Sequence, residues 1–165
     1  MAKPVLILVG SESDRERVAP AMKALEEAGI GYDVVVSSAH RNAEQTAQIA
    51  KDARANGYRV IIAGAGLAAA LPGAVAALTD LPVVGLPLDV GPLRGVDALY
   101  AIAQLPPGCP VGTVGIGMAK NAALLAVQIL ALSDESLAAK LAAEKKKMAE
   151  KIAAKNAALA QELGR

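Results

Sequence analysis

Short apolar runs alternate with amphipathic segments over about the first 130 residues of the chain. The apolar runs predict five β-strands, at residues 5–9, 32–36, 60–63, 82–86 and 110–114. Apolar residues at helical spacing predict helices at about 13–28, 42–56, 96–104 and 120–132. Ser13 with Glu16 forms a capping-box signature at the start of the first helix, and Gly29 and Gly57 are expected to end the first and second.

Apolar strands that alternate with amphipathic helices are typical of a parallel sheet with helices on both faces. The predicted fold class is therefore α/β, with a three-layer, flavodoxin-like, doubly wound parallel sheet of five strands and a long C-terminal helix. In such sheets ligands bind outside the carboxyl ends of the strands, near a topological switch point. The loops that follow the first three strands, at 10–14, 37–41 and 64–73, are thus the candidate functional loops.

The hydrophobic pattern changes after Asp134. An 11-residue repeat, about 3.67 residues per turn, relates Leu137, Leu141, Met148, Ile152, Leu159 and Leu163. This repeat predicts one long helix with a narrow apolar stripe that extends past the surface of a small domain. We expect residues 1–132 to form the α/β domain and residues 133–165 to form a helix that packs on a neighbouring subunit, with a frayed terminal tail as the alternative.

Composition narrows the function classes. The chain has 165 residues, 54% of them hydrophobic and 20% charged, which suits one folded domain. A net charge of +1 and an aromatic content of three Tyr, with no Phe or Trp, disfavour nucleic acid as a partner. The single Cys109 and the single His40 exclude an internal disulfide and a Cys/His zinc site. Neither a signal sequence nor an apolar membrane span is evident, so we expect a cytoplasmic protein without a membrane partner.

The first loop, Gly10–Asp14, joins a strand to the amino terminus of a helix. Backbone N–H groups and the helix dipole at such a position favour a bound anion. The hydroxyls of Ser11 and Ser13 can add donors, and the carboxylate of Asp14 can accept from a sugar hydroxyl. Plain helix capping is the alternative, and the glycine pattern is neither a dinucleotide fingerprint nor a P-loop.

The second loop, at 37–41, contains the only histidine, beside an arginine and two serines. A histidine such as His40 can give or take a proton at physiological pH, and Arg41 offers a permanently charged fork for phosphate or carboxylate. A purely structural or exposed histidine is the alternative.

The third loop, at 64–73, brings no side chain able to do chemistry. Its glycines, Gly64 and Gly66, permit either close approach of the backbone to a ligand or a tight turn. A role in binding would therefore depend on the backbone.

These three loops, in this order, resemble the N5-carboxyaminoimidazole ribonucleotide mutase family of purine biosynthesis. Residues 10–14 match its G-S-x-S-D loop, residues 38–41 match S-A-H-R, and residues 64–73 resemble G-A-G-G-A-A-H-L-P-G. Shorter stretches agree at 95–99, 104–106, 110–111 and 121–125. The resemblance covers about residues 4–132.

The resemblance implies an isomerase that needs neither cofactor nor metal and moves a carboxylate from N5 to C4 of an aminoimidazole ribonucleotide. It implies that His40 is the general acid and then the general base. It also implies a set of substrate-binding residues, Ser11, Ser13, Asp14, Ser38, Ala39, Arg41, Gly64, Gly66 and Leu71. Finally, the resemblance implies a homo-octamer in which the terminal helix lies on a neighbouring subunit.

The third loop departs from the family pattern. Ala70 stands where the mutase pattern has histidine, Ala69 where related patterns have Asn or Asp, and Leu67 where the pattern has glycine. The alanine-dense helices also look idealised, as in designed sequences. Besides an active mutase, two hypotheses stay open: an engineered, mutase-derived homo-oligomeric scaffold without catalysis, and a phosphate-binding module in which His40 is idle.

Overall fold

The structure, a computed structural model, describes residues 3–164. Within them the strands are β1 Val5–Val9, β2 Tyr32–Val36, β3 Val60–Ala65, β4 Val83–Pro87 and β5 Gly112–Thr113. The α-helices of the same residues are α1 Arg15–Ala28, α2 Ala43–Asp52, α3 Ala70–Ala76, α4 Val96–Ala103, α5 Ala119–Ala131 and α6 Glu135–Glu162. A short 3-10 turn, Glu12–Asp14, precedes α1. No helix in the described part of the chain combines the length and apolarity needed to cross a membrane.

The five strands form one parallel sheet in the order β2-β1-β3-β4-β5, which confirms the predicted fold class. Side chains alternate across the sheet, so Val5 and Ile7 of β1 pack with α1 and α5, whereas Leu6 and Leu8 pack on the other face with α2, α3 and α4. β1 is fully buried, while β2 at the edge is only half-buried. The core is built from aliphatic side chains throughout, as the composition requires.

Most predicted boundaries agree with the structure. Of the two predicted helix stops, Gly29 is confirmed: it is the C-cap of α1, has positive φ and donates its N–H to the carbonyl of Glu26. The stop at Gly57 was wrong: Gly57 also has positive φ, but α2 already ends at Asp52. The second helix is shorter than predicted, because turns over residues 53–57 replace its last part. The fifth strand is shorter than predicted, with only Gly112 and Thr113; Pro110, which has no N–H to donate to the ladder, lies outside it.

Two predictions for the loops were wrong. The capping box is absent: Asp14, not Ser13, occupies the N-cap of α1 without a side-chain cap bond, and the Ser13 hydroxyl donates to Ser11 Oγ instead. The third loop, expected over 64–73, contains the start of α3, for which no helix was predicted. Its Pro72 lies in the first helical turn, where a missing N–H costs no helical hydrogen bond.

The long C-terminal helix is confirmed. It begins at Asp134, whose carboxylate accepts from the N–H groups of Ser136 and Leu137. Leu137 is buried against the α1–α5 side of the domain, and the ammonium of Lys140 donates to the carbonyl of Ala28 at 3.2 Å. At 1.5 Å per residue the helix is about 42 Å long.

The distal part of the apolar stripe is exposed within the chain. Four side chains are more than half exposed, namely Met148, Ile152, Leu159 and Leu163. Packing of the helix on a neighbouring subunit stays a prediction. Met1, Ala2 and Arg165, which the two predicted ranges include, lie outside the described residues.

The close contact between β4 and α4 generates the first test. A Cβ at Gly85 would collide with Ile102 and would lie 2.7 Å from Val111 Cγ1, so we expect Gly85→Ala to lower the free energy of unfolding by about 1–3 kcal/mol. A Cβ at Gly112, on the neighbouring strand, would lie at least 3.5 Å from other atoms, at ordinary contact distance. Gly112→Ala should therefore be neutral or stabilise by about 0.4–1 kcal/mol.

Urea unfolding of the two variants checks this pair. Equal stability of Gly85→Ala and the unmodified chain would contradict the close contact of Gly85 with Ile102 and Val111.

Candidate functional site

The three candidate loops meet in one cavity of about 450 Å³ at the carboxyl ends of β1, β2 and β3. His40 lines it, as do the predicted binding residues Ser11, Ser13, Asp14, Ser38, Ala39, Arg41, Gly66 and Leu71. This volume lies within the range of small-molecule sites, roughly 300–1,000 Å³. Sequence reasoning did not single out Val90, which also lines the cavity and follows β4 without any chemical signal of its own.

Gly64 is the one predicted binding residue that the structure does not place among the lining residues. It lies inside β3, and a Cβ there would point at Val9, Val18 and Leu88 of the core. The lining of the cavity therefore does not support the assignment of Gly64, which stays a prediction; successive residues of a strand face opposite sides, and the next residue, Ala65, does line the cavity.

Arg41 joins the first loop to the second. Its Nη2 donates to the carbonyl of Gly10 at 3.1 Å, and its Nε donates to Ser38 Oγ at 3.3 Å. A guanidinium has five N–H donors in a planar fork, and these two bonds use only two of them. The cation is thus held at the cavity in a position to bind an anion.

The first loop adds hydroxyls and one carboxyl group. Ser13 donates to Ser11 Oγ at 3.0 Å, and the N–H of Asp14 donates to the carbonyl of Ser11 at 3.1 Å. Asp14 is only 9% exposed, and burial raises the pKa of its carboxyl group against the opposing effects of Arg17 and of a Ser11 backbone hydrogen bond. Its carboxylate is suited to accept hydrogen bonds from the hydroxyls of a sugar.

The third loop has an unusual backbone and an apolar surface. Leu67 and Ala69 have φ values of +56° and +42°, in the left-handed region, at a cost of about 1–2 kcal/mol for each residue other than glycine. The family pattern has glycine at the position of Leu67, and this chain keeps the backbone conformation that glycine favours. Ala69 and Ala70 line the cavity with methyl groups.

Gly66 permits a close contact within this loop. A Cβ at Gly66 would collide with the side chain of Val90, so the glycine allows β3 and the segment after β4 to approach each other. The Leu67 side chain lies against Gly91 of the same segment. The structure therefore accounts for Gly66 by contact inside the protein.

His40 is exposed and lies at the centre of the second loop. The carbonyl of Ser38 accepts from the N–H groups of Arg41 and Asn42, at 3.2 and 2.8 Å, which closes a tight turn around it. Across residues 3–164, no group of three His, Cys, Asp or Glu side chains is placed to share a metal ion. A histidine, an arginine and three serines thus line one cavity, a set of groups that is suited to bind an anion and to transfer protons.

The fold and the site define a doubly wound α/β protein with a cavity at its topological switch point, lined by a guanidinium, an imidazole and hydroxyls. A family model described as AIR carboxylase matches residues 4–151. The chain belongs to this family, and the resemblance found in the sequence is confirmed.

Two relatives of the same name match this chain over more than nine-tenths of their length. N5-carboxyaminoimidazole ribonucleotide mutase from Brucella melitensis is 49% identical over 155 residues, which cover 93% of this chain and 96% of that protein. The protein of the same name from Mycobacterium tuberculosis is 46% identical over 159 residues, 96% of this chain and 91% of that one. Among solved structures, PurE of Treponema denticola superposes with a TM-score of 0.82 at 31% identity, covering 90% of this chain and 92% of that chain.

The raised pKa of Asp14 generates a test of stability against pH. The folded state binds the Asp14 proton more tightly than the unfolded state does, so stability falls as pH rises through the ordinary carboxyl range and through the folded-state pKa. Asp14→Asn removes this penalty, and we expect it to unfold at higher urea concentration than the unmodified chain at pH 7. At pH 3 the two proteins should converge.

Glu12→Gln is the matched control, because it removes an exposed carboxylate from the same loop. A stabilisation by Asp14→Asn that is equally large at both pH values would show that burial of the charge is not its cause.

Proposed function

We propose that this chain is an N5-carboxyaminoimidazole ribonucleotide mutase of purine biosynthesis, with His40 as its acid and base. The observation that carries the proposal is the shared cavity, in which His40 lies beside Arg41 and the serines of the first loop. The phosphate of a ribonucleotide is matched by the guanidinium and hydroxyls, and its ribose by the Asp14 carboxylate. Relatives of this name, at 46–49% identity over more than nine-tenths of the chain, support the assignment.

One imidazole is sufficient for both halves of the reaction. His40, as imidazolium, donates a proton to N5 while the N–C bond of the carbamate breaks and carbon dioxide is released into the cavity. C4 then attacks the carbon dioxide, and the neutral imidazole removes the proton from C4. The proton that left His40 is returned to it, so the cycle balances without a co-reactant.

The apolar third loop is expected to slow this reaction. Removing one polar group that stabilises developing charge typically lowers kcat by about 10²–10³-fold. Ala70 supplies only a methyl group at the position of the family's histidine. We propose that binding is retained and that turnover is limited by this position.

Replacing that methyl group tests both statements. We expect the unmodified chain to convert the carbamate substrate slowly and Ala70→His to raise kcat about 10–100-fold, because a polar group returns to the cavity. Ala68→His is the control, since Ala68 is exposed and is not among the lining residues. His40→Asn should abolish turnover in both backgrounds.

Chromatography of the carboxylated product provides the measurement. Absence of turnover in the unmodified chain and in Ala70→His, at high protein concentration, would refute the catalytic proposal.

A second role is favoured by the exposed stripe of α6. Its four distal apolar side chains have no cover within their own subunit, and exposed contiguous apolar surface marks interaction sites. We propose that residues 133–165 pack on a neighbouring subunit in a homo-octamer, as the resemblance implies. The engineered-scaffold hypothesis predicts the same assembly without turnover, so the assay above separates the two. The cytoplasmic location stays a prediction.

A charge placed in the stripe tests the assembly. Ile152→Asp should dissociate the oligomer, since it would bury an unpaired carboxylate at the contact. Ala154→Asp introduces the same charge about 200° around the helix, and we expect it to leave the assembly intact. Light scattering measures the mass of each variant, and a monomeric unmodified chain would contradict the proposal.

A further inference from the structure

One buried hydroxyl, that of Thr46, contacts both ends of the segment that carries His40. Thr46 lies in the first half of α2 and is 1% exposed. Its Oγ1 donates to the carbonyl of Asn42 at 3.0 Å and lies 2.7 Å from Ser37 Oγ. Ser37 follows β2 and is 2% exposed, while Asn42 is the N-cap of α2. The four residues between them, 38–41, form the turn at the cavity.

The direction of these hydrogen bonds follows from their chemistry. A carbonyl can only accept, so the single hydroxyl proton of Thr46 is the one donated to Asn42. Ser37 must then donate to Thr46 Oγ1. The result is a chain of hydroxyls that runs from the end of β2 to the start of α2, closed to solvent at Ser37 and Thr46.

This chain is anchored to the centre of the sheet. The N–H of Ser37 donates to the carbonyl of Val9, the last residue of β1, at 2.8 Å. This bond holds the end of β2 beside the end of β1, where the first loop begins. The Asn42 carbonyl also accepts from the backbone N–H of Thr46 at 3.1 Å and keeps that partner without the hydroxyl, whereas the buried Ser37 hydroxyl loses Thr46 Oγ1. Because a buried polar group deprived of its partner is unfavourable, we expect loss of the Thr46 hydroxyl to shift Ser37 at the end of β2.

Arg41 and His40, the two candidate functional residues of the turn, depend to different degrees on the hydrogen bonds that join Ser37, Thr46 and Asn42. The Arg41 side chain has hydrogen bonds of its own, to Gly10 and to Ser38. His40 is exposed and lines the cavity, so its position depends on the backbone of the turn. A change in the turn should thus displace the imidazole more than the guanidinium.

We propose that Thr46 is a positioning residue for His40, acting through its hydroxyl and not through its bulk. The inference rests on the proposed function for its effect on rate. A misplacement of about 1 Å at a reacting group can cost about 10²-fold in rate, whereas an anion site held by independent bonds is less sensitive. The loss should therefore fall on kcat, with little change in KM.

Paired substitutions separate hydroxyl from shape. Thr46→Val keeps the branched shape and removes the hydroxyl, while Thr46→Ser keeps the hydroxyl. We expect Thr46→Val to lower kcat about 10–100-fold with KM changed less than about threefold, and Thr46→Ser to restore most of it. Thr113→Val, at the opposite edge of the sheet, removes another hydrogen-bonded hydroxyl and should behave as the unmodified chain.

A second measurement does not depend on turnover. His40 is the only histidine, so its imidazole C–H proton resonance needs no assignment. Thr46→Val should shift or broaden this resonance and Thr46→Ser should not, while the affinity for ribose 5-phosphate, the probe for the Arg41 side, stays within about threefold.

The outcomes are distinct. A folded Thr46→Val with unchanged kcat and an unchanged His40 resonance would overturn the proposal. If Thr46→Val does not fold, Ser37→Ala is used in its place, because it removes the hydroxyl that donates to Thr46. Its kcat and His40 resonance are then expected to change in the same way. If the unmodified chain has no mutase activity, the proposed function fails, and the resonance alone decides on the positioning role.

Discussion

All five strands run parallel, so their carboxyl ends lie along one edge of the sheet, and this constraint determines where chemistry can occur. β1 lies between β2 and β3, which places the first loop between the second and the third. Residues more than 30 positions apart in the chain consequently touch, as the bond from Arg41 to the carbonyl of Gly10 shows. The order of the strands determines which loops meet at the site, and the side chains of those loops then determine its chemistry.

Stability and site chemistry are supplied by different parts of the molecule. Aliphatic side chains on both faces of the sheet form the core; the first loop adds no side chain to it, whereas Ala69 and Leu71 of the third loop belong to the cluster on one face. The loops instead contain features that cost stability: left-handed Leu67 and Ala69, and a buried carboxyl group at Asp14. Such features persist where the surrounding structure is strong enough to hold them, and they cluster at functional sites.

The features that the sequence predicted correctly are those that depend on a local pattern of residues. Apolar runs identified β1 and β2 with their bounds, and Gly29 ended α1 as expected because only glycine adopts positive φ at low cost. Helix α3 was missed since Leu-Pro-Gly is typical of a turn, although proline is tolerated in a first helical turn. The bridge from Ser37 to Thr46 carries no pattern at all, because it joins two elements through tertiary contact.

The three loops differ in the chemical groups that they bring to the cavity. The first two loops contain the candidate donors and the proposed acid–base group, and they match the family motifs residue by residue. The third loop keeps the backbone shape but faces the cavity with methyl groups. Groups that bind an unreacting phosphate contribute equally to ground and transition states, whereas groups near the reacting carbon contribute to kcat. Under the proposed function we therefore expect affinity and turnover to be separable in this chain: substitutions in the third loop should act on rate, and substitutions at Arg41 should act on binding.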